Sequence, residues 1–107
     1  MNIEQTVMEL IISSGEARAY AYEALSKARE GKFEEAEKLI SKANDVIDRT
    51  HNIQTSLLQK EASGEHVEVS ILFVHAQDHL MTAISEKNLI CQIIELTKDI
   101  NKLLAEK

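Results

Sequence analysis

The chain has 107 residues, 44% hydrophobic but only 4% aromatic, with no proline, three glycines and a formal net charge of −6. This length predicts one domain, residues 1–107, large enough for a core but small for a lone enzyme with a deep pocket. The acidic balance and the lack of any basic run exclude a nucleic-acid surface, where phosphate contacts need clustered Lys and Arg.

At the N-terminus, Met1-Asn2-Ile3-Glu4-Gln5 has neither the basic patch nor the apolar run of a secretory signal. A first helix is predicted from Ile3 to Glu30, with Val7, Leu10, Ile11, Ala17, Tyr20, Ala21, Ala24 and Ala28 at helical spacing. Gly15 inside it costs roughly 1 kcal/mol relative to Ala. Together with Ser13, Ser14, Ala17, Ala19 and Ala21 it marks a surface for close backbone approach. Tyr20 and Tyr22 read as packing or surface residues, and Met1 and Met8 as packing or fraying ones. Gly31 supplies the left-handed residue that ends a helix. A second helix follows from Phe33 to Glu61, apolar at Ala36, Leu39, Ile40, Ala43, Ile47, Ile53, Leu57 and Leu58. So short a turn makes helices one and two antiparallel neighbours. Ala62-Ser63-Gly64-Glu65 is the second break, and a third helix is predicted from Val67 to Ala105. No apolar run approaches the roughly 20 residues of a membrane span. Cys91, the single cysteine, has no internal disulfide partner and reads as a buried small hydrophobe of a reduced, cytoplasmic protein.

The third helix carries more apolar surface than one hairpin can cover. Ile71-Leu72-Phe73-Val74 circle the helix, and Leu89, Ile90, Cys91, Ile93, Ile94 and Leu96 spread over roughly 220°, against the roughly 100° stripe of an ordinary surface helix. Ile71, His75, Asp78, Thr82, Ser85, Leu89, Gln92 and Leu96 alternate by four and three, as a coiled-coil seam does. Polar members of a dry seam are costly unless they pair, bind an ion or hold water. Two packings satisfy this pattern. One is a homo-oligomer assembled through helix three; the other is a monomer in which helices one and two embrace helix three on both sides.

Of the four histidines, His51, His66, His75 and His79, only the last two form a constellation. His75, Asp78 and His79 stand at i, i+3 and i+4, a sector of roughly 100° on a helix. A neutral imidazole is a nucleophile, and a nearby His or carboxylate can set its tautomer and stabilise charge. Phosphoryl transfer asks little of a protein beyond such positioning and electrostatics. The same trio suits a transition metal, and it also suits a purely structural role. His66 reads as solvated, and His51 as an interhelical contact without chemistry.

Val74-His75-Ala76-Gln77-Asp78-His79-Leu80-Met81-Thr82 resembles the signature of the lactose/cellobiose-type A components (enzyme IIA) of the bacterial phosphoenolpyruvate-dependent sugar phosphotransferase system. The resemblance extends over Ala28-Arg29-Glu30-Gly31-Lys32-Phe33-Glu34-Glu35-Ala36, His51-Asn52-Ile53-Gln54-Thr55 and Glu61-Ala62-Ser63-Gly64. Ser14 and Thr50 depart from it, standing where small Ala is expected. The resemblance implies an all-α protomer of three long antiparallel helices, assembled as a trimeric bundle. It implies that His75 takes a phosphoryl group on Nε2 from the histidine-containing phosphocarrier protein and passes it to a cysteine of the cognate IIB component. That component phosphorylates a β-linked disaccharide as the membrane component, IIC, imports it; the IIA itself touches neither sugar nor membrane. His79 is assigned a supporting role in the phosphorylated state. Asp78 is assigned to the trimer axis, where three copies bind one divalent cation, Mg2+ by the family pattern. Gln77 matches the motif but points about 200° from His75, so a role in chemistry needs a neighbouring helix to intervene.

Rival classes use the same residues differently. A tetratricopeptide adaptor needs a recurring period, and no second copy is present. A phosphotransfer domain of two-component signalling usually has Lys and Gly soon after its histidine, whereas Ala76-Gln77-Asp78-His79 follow here. A non-enzymatic helical metal-binding or adaptor bundle, built on His75, Asp78 and His79, stands as the alternative.

Overall fold

The proline-free sequence folds into three long helices, α1 (Ile3–Arg29), α2 (Phe33–Ala62) and α3 (Ile71–Ala105). The computed structural model describes residues 2–106 and contains no strand among them; Met1 and Lys107, the ends of the predicted domain, lie outside the described residues. Asn2 begins α1 by accepting the Gln5 amide through its side chain. Both interhelical turns close by one device. Gly31 (φ 80) and Gly64 (φ 97) adopt the left-handed conformation. The next residue's amide then reaches back over the helix end, Lys32 to the Lys27 carbonyl at 2.9 Å and Glu65 to the Lys60 carbonyl at 3.2 Å. These Schellman closures satisfy carbonyls the helix would otherwise leave bare.

The third helix starts at Ile71 rather than at Val67. Ser70 decides this: its backbone is extended (φ −106, ψ 167) and its Oγ accepts the Phe73 amide at 3.0 Å. Val67, whose apolar character extends the periodicity backwards in sequence, is buried within the connecting segment. A serine cap outweighs one apolar residue in phase, because the cap satisfies an amide that has no other partner. Ser70→Ala is expected to lower stability by about 1 kcal/mol, with Ser70→Asp restoring most of it. Denaturant melts of the three proteins check this, and an unchanged midpoint in Ser70→Ala would remove Ser70 as the determinant of the boundary.

Helix α1 packs extensively on both of the others, and α2 and α3 meet each other over a much smaller contact. The buried residues of α1, Val7, Leu10, Ser14, Ala17, Ala21, Ala24 and Ala28, alternate by three and four and are mostly small. Small side chains let two helices approach one, which accounts for the alanine content of this segment. Ser14 and Thr50 are buried without cost in unmet bonds, because each hydroxyl donates to the carbonyl four residues back, Leu10 and Val46. Leu10, Leu57, Ala76 and Leu80 form the core at the end nearer the α2–α3 connection; Ala24, Ala28, Ala36, Ile90 and Ile94 form it at the other. Lys98 on α3 donates to Glu37 on α2 at 2.8 Å, a tie at the surface.

Burial of α3 is one-sided. Its inward row is Ala76, Leu80, Ala83, Ile90 and Ile94. All eight members of the four-and-three seam are exposed, with Ile71 at 92%, Leu89 at 64% and Leu96 at 58%. Helices one and two therefore do not embrace α3 from both sides in the protomer. Of the quartet Ile71-Leu72-Phe73-Val74 only Phe73 packs on the core, because α1 reaches one side of the helix alone. Cys91 is half-buried rather than buried, in a groove between α2 and α3 beside Ile40 and Ile94, because those two helices meet each other far less than either meets α1.

Candidate functional site

The packing of α3 sets the directions of its polar residues. With Ala76 and Leu80 turned to the core, His75 and Asp78 face outward and His79 lies between, half-buried toward α1. The His75 and His79 rings are stacked, their centroids 5.6 Å apart and their planes inclined by 21°. A β-carbon on Gly15 would stand 3.6 Å from His79 Nε2, so α1 passes close over this imidazole at its small-residue stretch.

A second residue of α1 holds the ring in place. Arg18 donates from Nη1 to His79 Nδ1 at 3.2 Å, from Nη2 to Thr82 Oγ1 at 2.6 Å, and from Nε to Glu86 Oε2. Tyr22 adds a longer donation to Glu86 Oε1 at 3.4 Å. The guanidinium thus bridges three positions on consecutive turns of α3, as its planar fork of donors permits. The pKa of His79 is lowered from its ordinary value, first by burial, then by the positive charge of Arg18 and by His75, with Glu86 opposing. That shift and the guanidinium donating to Nδ1 both favour the neutral imidazole. Arg18 is the first basic residue of the chain, isolated among Ala17, Ala19 and Gly15. That isolation was the available signal for its role; the pairing with a histidine 61 positions away is not expressed in any local pattern.

The remaining sequence candidates divide. Gln77 turns toward α2, where its Oε1 accepts from Gln54 Nε2, so it meets a neighbouring helix rather than His75. Asp78 is exposed, its backbone carbonyl accepts from Thr82 Oγ1, and its carboxylate has no hydrogen bond or ion pair among the described residues. No three His, Cys, Asp or Glu side chains converge to hold a metal within one described chain. An outward carboxylate is a hard oxygen donor that fits Mg2+ chemistry, but one per chain is too few ligands. His51 and His66 are both exposed and away from the pair. Met81, adjacent to the site, is 53% exposed.

The fold and the site describe an all-helical protein in which the exposed imidazole of His75 is backed by a second one, His79. Three long helices in the same arrangement are found in the cellobiose-specific enzyme IIA of Bacillus anthracis, with a TM-score of 0.92 at 45% identity, covering 95% of this chain and 94% of that one. The IIA(Chitobiose) in its complex with HPr, from Escherichia coli, matches with a TM-score of 0.84 at 38% identity, over 94% of this chain and 98% of that one. The lichenan-specific phosphotransferase enzyme IIA component of Bacillus subtilis is 41% identical over 94% of this chain and 91% of its own length. The family model described as the lactose/cellobiose-specific IIA subunit of the PTS system matches residues 5–98. The chain belongs to this family, and is a phosphotransfer component of a sugar phosphotransferase system.

Proposed function

We propose that His75 is the phosphoryl acceptor, taking the group on Nε2 from the histidine-containing phosphocarrier protein and yielding it to a cysteine of the cognate IIB component. The observation that carries this reading is an exposed His75 stacked on His79, whose other side is fastened to α1 through Arg18. In the first transfer the nitrogen–phosphorus bond of the donor breaks as the lone pair of His75 Nε2 forms a new one; in the second, a sulfur–phosphorus bond replaces it. The chain contributes orientation and a polar, partly screened setting rather than covalent chemistry of its own beyond the imidazole. The complex formed by the chitobiose relative supports the phosphocarrier as donor. Relatives named for lichenan, cellobiose and chitobiose match this chain at similar identity, which supports a role upstream of sugar recognition, in uptake of a β-linked disaccharide. The test is incubation with phosphoenolpyruvate, its upstream kinase and the phosphocarrier, followed by mapping of the modified residue. Label on His51, His66 or His79 in place of His75 would overturn the assignment.

The working unit in this reading is a homotrimer joined through the open face of α3. The exposed apolar residues of α3, Ile71, Leu89, Ile93, Leu96 and Ile100, support it, since so many on one helix are seldom left to water. Three Asp78 carboxylates, one per protomer, would hold a divalent cation such as Mg2+, which supplies neutralising charge and no step of the transfer. Light scattering at micromolar concentration is expected to give three times the protomer mass of 12.0 kDa, and a monomeric mass would remove the shared site. The alternative metal-binding bundle within one chain fits less well, because Arg18 already occupies Nδ1 of His79.

A further inference from the structure

The arginine that bridges α1 to α3 has donors only, and this constrains the histidine it touches. Arg18 Nη1 lies 3.2 Å from His79 Nδ1. A guanidinium stays protonated and carries no acceptor, so the nitrogen facing it must offer a lone pair. The ring proton of neutral His79 then resides on Nε2, the nitrogen left over for whatever meets the site. We propose that Arg18 is a positioning residue that fixes His79 as the Nε2–H tautomer, so that His79 donates a hydrogen bond to the phosphoryl oxygens carried by His75. The proposal rests on His75 as the phosphoryl acceptor.

The surroundings of Arg18 fit this role. Its Nε is held by Glu86 and its Nη2 by Thr82, so the fork cannot rotate away from His79 without breaking two other contacts. Glu86 also compensates the charge of a guanidinium whose side chain is only 25% exposed. Thr82 Oγ1 in turn lies 2.8 Å from the Asp78 carbonyl and 3.2 Å from that of His79, as a donor to the turn that bears both histidines. Against a phosphoryl oxygen, a lone pair on Nε2 would repel, whereas an N–H attracts. No proton moves in this scheme. The donor's nitrogen–phosphorus bond breaks, the bond to His75 Nε2 forms, and the His79 proton stays on its ring throughout.

Four variants and one spectrum test the proposal. Nitrogen-15 NMR of the intact parent at alkaline pH is expected to show His79 with a pyrrole-like Nε2 and a pyridine-like Nδ1, the latter moving toward the value of a free imidazole in Arg18→Met. Arg18→Met is expected to slow phosphoryl transfer to His75 by about tenfold, the worth of one charge-assisted hydrogen bond. In a His79→Ala background the same substitution is expected to cost less than about twofold, because its effect passes through the ring. His79→Gln keeps an N–H near the place of Nε2 and an acceptor for Arg18, and is expected to transfer within a few-fold of the parent, well above His79→Ala. A pyrrole-like Nδ1 in the parent would overturn the tautomer assignment whatever the transfer rates. Full additivity of Arg18→Met and His79→Ala would overturn it too, showing that Arg18 acts on the phosphoryl group directly. Label absent from His75 in the parent would instead sink the phosphohistidine assignment, and the NMR spectrum would still decide the Arg18 contact by itself.

Discussion

His75→Ala is expected to reduce phosphoryl labelling to background while leaving the helix content and melting temperature close to those of the parent. The side chain is exposed and takes no part in the core, so its loss leaves no cavity and breaks no buried hydrogen bond. Its chemistry, by contrast, has no substitute within reach. His79 is the nearest nucleophile in kind, but it is half-buried, lies beneath α1 and has one nitrogen bonded to Arg18. His79→Ala is therefore expected to slow transfer without eliminating it. The label on the parent is expected to be lost in acid and retained in base, as for a phosphoramidate, which distinguishes it from phosphoserine. Filter-bound radiolabel and mass mapping check both variants. Persistent, stoichiometric label in His75→Ala would mean that another group accepts the phosphoryl and that the exposed imidazole is incidental.

The second large effect concerns Asp78 and assembly. Like charges brought within ~4 Å repel by about 4 kcal/mol at an effective dielectric of ~20. In the proposed trimer, three protomers joined through α3 would bring three Asp78 carboxylates toward one axis, and this carboxylate has no hydrogen bond or ion pair of its own among the described residues. Chelation is therefore expected to lower the melting temperature or shift the trimer toward monomer, since a ligand that binds only the assembled form stabilises it. Asp78→Leu removes the charges and the need for their neutralisation, and apolar replacement of a buried ionic cluster is often neutral or stabilising. The variant is expected to form a chelator-insensitive trimer at least as stable as the parent, with Asp78→Asn between the two. Calorimetry and light scattering with and without chelator read the outcome. A parent indifferent to chelation, together with an Asp78→Leu chain that loses the trimer, would make Asp78 an ordinary polar contact.

Both effects start from residues that the linear sequence already places together. Residues three and four apart share a helix face whatever the tertiary setting, so His75, Asp78 and His79 follow from the motif and the 3.6-residue period alone. The same periodicity marks the seam from Ile71 to Leu96, and all eight of its members prove to be exposed in the protomer. Gly31 ends the first helix as its composition implies, because a left-handed residue without a β-carbon is a local requirement. The start of α3 was only half legible. Apolar phase and a serine cap compete there, and the outcome depends on whether the preceding segment finds a place to bury Val67.

Hydrophobic period by itself determined three helices, the sector holding the two histidines, and an apolar face on α3 beyond what the hairpin covers. Only the tertiary structure decided that α1 is the helix packed extensively on both others and that it brings Arg18 onto His79. Periodicity states which residues of a helix turn inward, but not which of two neighbours they meet. The contact between Arg18 and His79 spans 61 positions, and its worth to the site depends on a planar donor meeting one ring nitrogen. That geometry exists only once the small residues of α1 have let α3 come close.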